Sequence, residues 1–437
     1  MHFRSFTLVL LGCIATPVAS AQSVEDRAEL RRLYQEAAAA HQRKDFPSFL
    51  EITLEIVERA PRSVGALYNL ACAKALNHAG NESIVILDGL AARGVAFDLN
   101  ADPDFESLKN SPEFQAVVRK MAALEEPLGS STIAFTLADK TLITEGVAFD
   151  PRSGDFFVSS VRHRKILQIS REGVVTDFLE SGRDGFYSVV ALDIDSERNT
   201  LWASSHASAQ MEGFDEASAG RSFVAELDLS SSKLLRRIEP PQLTPAAHLS
   251  DLAVGPSGEL AVSDPYTGRI YLLTPGAETL RVLVDAGPLA SPQGIAWLPD
   301  GKSLFVADYS QGIARVDVAD GTVRLLDVPP QAVVTGIDGL VWADGSLVAI
   351  QNGIRPHRVV QHRLDPRFER IVDVTVIERG NPSFDEPTLG VRVGADLYYV
   401  ANSQYRFVGD DGSLDLDRLQ PPVILRLRLP WISPTRH

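Results

Sequence analysis

In this 437-residue chain the residues best suited to chemistry are four polar side chains, each opening a short apolar run. Glu145 opens "EGVAFDP", Ser250 opens "SDLAVGP", Gln293 opens "QGIAWLP" and Asp338 opens "DGLVWADG". Carboxylates, amide carbonyls and hydroxyls are hard oxygen donors, the ligands that Ca²⁺ takes. Two carboxylates held close together repel, so one must take up a proton or both must share a cation. Asp251 beside Ser250, together with Arg162 and His206, could add contacts to a polar substrate. In "ASSHAS" the two serines adjoin His206 in sequence, which is not the geometry of a catalytic triad. His163, His206 and His357 lack any metal-ligand spacing. Asp264 and Asp308 end equivalent apolar runs and are expected to accept from the amides of the next turn. "GDDGSLDLD" alternates acids but lacks the full Ca²⁺-loop spacing ending in Glu, so it reads as a solvated turn.

The elements that must position these residues repeat. A small or polar residue, an apolar alternation, an Asp-Pro or Asp-Gly turn and a second strand recur six times. The copies are "EGVAFDPRSGDFFVSS", "VALDIDSERNTLWASS", "SDLAVGPSGELAVSD", "QGIAWLPDGKSLFVAD", "DGLVWADGSLVAIQN" and "PTLGVRVGADLYYVAN". Each is followed by a further strand such as "KILQIS" or "RIYLLT". Six units of three or four short strands predict a six-bladed β-propeller, a ring that leaves only short sheet edges. "STIAFTLAD" is expected to close the ring against "PPVILRLRL". The strands are too short for a membrane barrel. First strands line a propeller's channel. Aligning the copies on their turns therefore places Glu145, Val190, Ser250, Gln293, Asp338 and Pro387 at equivalent points around its mouth. Loops carrying Arg162, His163, His206, Tyr266, Tyr309, Asn352, Arg355, His357, Asn402 and Gln404 are expected to rim it.

Ahead of the propeller the composition differs. "MHFR", an apolar run and Ala19-Ser20-Ala21 predict a cleaved signal peptide over residues 1–21, and hence a periplasmic or secreted protein. A lipoprotein cleavage before Cys13 is the alternative. Residues 22–124 have helical periodicity, and an offset of 34 superposes Leu33 on Leu67, Ala37 on Ala71, Phe49 on Ser83 and Ile56 on Leu90. This resembles two tetratricopeptide repeats, with "DPDFESL" and "SPEFQAVVRKM" as two further capped helices. Residues 125–131 form a polar linker, 132–430 the propeller and 431–437 a tail, giving an α+β multidomain chain. A net charge of −15 disfavours nucleic acid and anionic lipid as partners. No other stretch is long and apolar enough for a membrane span. Once Cys13 leaves with the signal, Cys72 is alone and cannot form an internal disulfide.

Over roughly residues 131–429, "TEGVAFDP", "LSDLAVGPSGELAVSDPYTGRIY", "SPQGIAWLPDGKSLFVADYSQGI" and "GIDGLVWADGSLVAIQNG" resemble the gluconolactonase/regucalcin (senescence-marker-like) family. The resemblance implies one axial divalent cation, Ca²⁺ first and Zn²⁺ or Mn²⁺ as alternatives, on Glu145, Gln293 and Asp338. It also implies that Asp338 is the general base in hydrolysis of a lactone or ester and that Ser250 contacts substrate. Two positions depart from the family, which has Asn where this chain has Gln293 and Ser250. The expectation is therefore a metal-dependent hydrolase acting on a small, oxygen-rich molecule at the mouth. The alternative is a non-catalytic binding propeller whose helical repeats dock an envelope protein partner.

Overall fold

The computed structural model describes residues 24–409 and 411–430. The expected signal peptide, the Cys13 alternative and the tail lie outside the described residues. Among the described residues no helix is long and apolar enough to cross a membrane.

Six four-stranded antiparallel sheets follow one another as blades I to VI. Their innermost strands are Val147–Phe149, Ser188–Asp195, Leu252–Val254, Pro292–Trp297, Ile337–Ala343 and Gly390–Val393. These six contact one another in ring order, the last against the first. Thr132–Thr136 is the outermost strand of blade VI and pairs with Val423–Arg428, so the chain's first strand closes the ring as expected. Second strands such as Phe156–Ser160 and Leu260–Asp264 are buried along their whole length, because neighbouring blades cover both faces.

The serines that end second strands tie the ring together. Ser159 Oγ accepts from Gly146 N at 2.8 Å within its blade and donates to Val190 O of the next at 2.7 Å. Ser204 repeats the pattern, accepting from Ala191 N at 3.0 Å and donating to Ser250 O at 2.5 Å. Asp264 and Asp308 take their turn amides, Tyr266 N and Thr267 N for one and Ser310 N and Gln311 N for the other.

Helices α1 (Val24–Gln42), α2 (Phe46–Arg59), α3 (Val64–Leu76) and α4 (Gly80–Ala92) pack as two consecutive hairpins. Asp45 caps α2 through Ser48 N, and Ser63 caps α3 through Ala66 N. The 34-residue offset has a physical counterpart. Ala37, Ala71, Phe49 and Ser83 are all buried, and Ser83 Oγ donates to Ala71 O at 2.8 Å. "DPDFESL" forms a 3₁₀ turn (Pro103–Leu108) rather than an α-helix, while α5 (Pro112–Leu124) starts on the Ser111 cap. The helical core extends into the propeller by taking in Val333 and Ile354 of blade V. Ala96 N donates to Arg355 O at 2.8 Å across the same junction.

Around the axis the inner strands come very close. A β-carbon on Gly294 would lie 2.5 Å from Asp338 O of the next blade. Gly294→Ala is expected to cost about 1–3 kcal/mol through backbone displacement. Gly89→Ala, on the exposed face of α4 with nothing within 4 Å, should instead stabilise by up to about 1 kcal/mol. Urea unfolding of both variants followed by circular dichroism checks the pair.

Candidate functional site

The close approach of the inner strands decides where the mouth residues point. Gly146, Gly294 and Gly339 sit against Val190 O, Asp338 O and Thr388 O of the following blades. The residues just before them, Glu145, Gln293 and Asp338, line one cavity of about 580 Å³ together with Val190 and Ser250. At blade II the following residue is Ala191, while Asp251 and Thr388 bond to the next blade. Asp251 Oδ2 accepts from Ile295 N at 2.8 Å, and Thr388 Oγ1 donates to Glu145 O at 2.9 Å.

The cavity is acidic and open to solvent at its rim, where Tyr266 is 75% exposed. Glu145 is 8% exposed. Burial raises its pKa well above the carboxylate range, and Asp338 and Glu386 push it further the same way, while a hydrogen bond from the Tyr405 hydroxyl opposes them. Burial brings Asp338 up to about 6, against a lowering hydrogen bond from Asn352. Asn352 Nδ2 donates to Asp338 Oδ2 at 2.7 Å, and Tyr309 Oη donates to Asn352 Oδ1 at 3.0 Å. A relay of two neutral groups thus orients one carboxylate oxygen. His206 Nδ1 lies 3.0 Å from Leu249 O, which can only accept, so the neutral ring keeps its lone pair on Nε2. Burial lowers its pKa to about 4, which keeps the ring neutral near pH 7. His248, Tyr266 and Tyr405 complete an aromatic wall; the His248 and Tyr266 ring centroids are 4.5 Å apart.

Of the expected rim, the cavity takes in Tyr266 but not His163, Tyr309, Asn352, Arg355, His357, Asn402 or Gln404. Of the residues read from sequence as ligands or substrate contacts, it gathers Glu145, Gln293, Asp338, Ser250 and His206 and leaves out two. Arg162 Nη1 donates to Gly412 O at 2.6 Å and Gln210 O at 3.3 Å, tethering loops rather than lining the cavity. Asp251 lines a second cavity of about 200 Å³, farther along the same strands, with Asp193. Its bond to Ile295 N makes it an inter-blade tie. Glu386, Tyr405 and His248 had no signal in the repeat. Register assigned blade VI's place to Pro387, but Glu386, at φ 58°, brings the third negative charge to bear on Glu145 and Asp338.

Glu145, Asp338 and the Gln293 carbonyl offer oxygens, which fits a hard cation, with His206 Nε2 as a nitrogen in the same cavity, and a cation would relieve the repulsion that raises the carboxylates. Among the described residues, the group of Cys, His, Asp and Glu that brings three ligand atoms within 4.8 Å lies elsewhere, at Cys72, Asp102 and Asp104 in the helical domain. There Tyr68 Oη donates to Asp102 Oδ2 at 2.6 Å and His41 Nε2 lies 2.9 Å from Asp104 Oδ2, so hydrogen bonds within the domain already engage both acids.

No family model and no curated protein matches the chain. Solved structures similar to it include a calcium-binding regucalcin from Agrobacterium tumefaciens. It has 19% identity and a TM-score of 0.48, and the match covers 68% of this chain and 93% of that one. A gluconolactonase from Xanthomonas campestris has 16% identity and a TM-score of 0.46, covering 71% and 93%. A virginiamycin B lyase from Staphylococcus aureus has 16% identity and a TM-score of 0.44, covering 62% and 82%. Similarities at these values assign neither an activity nor a ligand to this chain.

Burial, partly offset by the amides of Ile295 and Leu252, raises Asp251 to about 8 from an ordinary 3.8. Between those values the folded protein holds a proton that the unfolded chain releases. This contribution to stability is therefore full below about pH 4 and is lost as the pH rises through about 8. Asp251→Asn should melt with the wild type at pH 4 and at least about 2 °C above it at pH 9. Scanning calorimetry across that range in chelator-treated buffer measures it.

Proposed function

We propose that the mouth cavity binds one divalent cation, Ca²⁺ first, and that the protein is a hydrolase of lactone or ester type. Glu145, Asp338 and the Gln293 carbonyl would hold the cation, which when bound would polarise the substrate carbonyl as a Lewis acid. The observation that carries this reading is the pair of carboxylates from blades I and V facing one cavity, both pushed up by burial and Glu145 also by Asp338. Asp338 is the general base. The Asn352–Tyr309 relay fixes its Oδ2, leaving Oδ1 to take the proton of an attacking water. The His206 Nε2 lone pair, the Ser250 hydroxyl and Tyr266 present acceptors and donors that would orient a polar substrate against that carboxylate. Gln293 is one methylene longer than the asparagine of the resembled family, which moves its carbonyl by about 1–1.5 Å for a given backbone. Cleavage of the signal peptide would place this chemistry in the periplasm or outside the cell.

A second reading, ligand binding without turnover, is favoured by a separate observation. Tyr405 already bonds Glu145 and Asn352 already bonds Asp338, so groups within the protein already engage both carboxyls.

Thermal melts with Ca²⁺, Zn²⁺ and Mn²⁺ separate the readings. A cation at 100 times its Kd adds about 2.7 kcal/mol to the stability of the wild type. Asp338→Ala should lose that increase, while Cys72→Ser should keep it, which excludes the helical-domain cluster as the source. On a panel of lactones and aryl esters, Asp338→Ala should lower kcat about 100-fold or more, and Asn352→Ala should lower it less. Equal cation response in wild type and Asp338→Ala would sink the metal site. A normal cation response without Asp338-dependent turnover would favour the binding reading.

A further inference from the structure

Another cavity, of about 360 Å³, lies between the helical domain and blade V. It is lined by Arg93 and Gly94 after α4, Leu124 at the end of α5, Val333, and Arg358 and Arg379 of blade V. Arg358 and Arg379 are direct cross-strand partners, in strands Arg358–Leu364 and Ile371–Arg379. Side chains directly opposite share a face, and like charges so placed repel. Arg358 is 3% exposed. Its Nε donates to Gln351 Oε1 at 2.5 Å, and its Nη1 reaches Gly94 O at 3.2 Å and Arg93 O at 3.4 Å. The carbonyls of the cap that follows α4 thus take up part of its charge. Nothing comparable serves Arg379, whose buried Nε has no hydrogen-bond partner. Among the described residues no carboxylate forms an ion pair with Arg93, Arg358 or Arg379. Asp373, the acid lining this cavity, lies 3.9 Å from Arg363 and is 57% exposed.

Arg358 is buried and Arg93 and Arg379 are half-buried; clustered cations so placed without counter-charge are costly, and the usual remedy is an anion. We propose that this interdomain cavity is a binding site for a small phosphate-type oxyanion, held by the guanidinium groups of Arg358 and Arg379 with Arg93 from the helical side. Guanidinium forks match phosphate oxygens, and the volume lies within the range of small-ligand sites, about 300–1,000 Å³. Burial, followed by the charge of Arg379, brings the Arg358 pKa down to about 10, the direction that a nearby anion would reverse. The site also adjoins the propeller mouth. Gln351, which accepts from Arg358, precedes Asn352, which holds Asp338.

Titration calorimetry of the full chain with inorganic phosphate, at constant ionic strength and pH 7, tests the site. The wild type should bind phosphate, and Arg379→Gln should weaken binding about tenfold or more. Arg324→Gln, an exposed arginine of blade IV, should bind as the wild type does. In phosphate-free buffer Arg379→Gln should melt no lower than the wild type, because it removes one of two opposed cations. Phosphate heats no larger than those of matched chloride would overturn the proposal, as would equal binding by Arg379→Gln. A lower melting temperature of that variant without phosphate would also overturn it, since the guanidinium would then already be satisfied within the protein.

Discussion

Six strand backbones crowd round one axis, and a β-carbon at Gly146, Gly294 or Gly339 would lie 2.5–2.6 Å from a carbonyl of the next blade. At that separation a β-carbon would force the backbones apart, and these three positions hold glycine. The alternation of side chains along a strand then turns the preceding residue into the channel. Glu145, Gln293 and Asp338 are neighbours for this reason, although their blades are far apart in sequence. The same crowding buries Glu145 and brings the acids Asp338 and Glu386 to bear on it, so that their charges oppose one another.

The ring is held by small polar side chains as well as by apolar packing. Ser159 and Ser204 each join their own first strand to the next blade. Asp193 and Asp251 reach across to Val254 N and Ile295 N. These acids are tolerated because a backbone N–H meets each one, yet burial still raises Asp193 to about 6 and Asp251 to about 8. Carboxylates that tie blades and carboxylates that face the mouth therefore lie on the same strands, distinguished by what meets them: an amide of the next blade or the open cavity.

The helical domain is built into this arrangement rather than appended to it. Its core takes in Val333 and Ile354, and its backbone meets Arg355. The segment between Gln351 and Arg358 is thus clamped between the two domains, and Asn352 within it sets the orientation of Asp338. The helical region buttresses one loop of the mouth.

Much of this was legible in the residues. The recurring turn and strand pattern identified six blades, their register, the closing strand and the five side chains that share the mouth, because a period-two pattern carries facing information along each strand. The helical offset was legible because Ala37 and Ala71 must be small where helices touch. Arg162, Glu386, Tyr405 and the opposed Arg358–Arg379 pair were not. Their places depend on loop conformation, as with the positive φ of Glu386, or on contacts between segments hundreds of residues apart, as with Arg162 and Gly412. By itself the sequence determined which side chains face the axis, since local periodicity dictates facing. Only the tertiary structure decided which of the buried charges are satisfied, since a charge is neutralised by whatever the fold brings near it, and no local pattern encodes that neighbour.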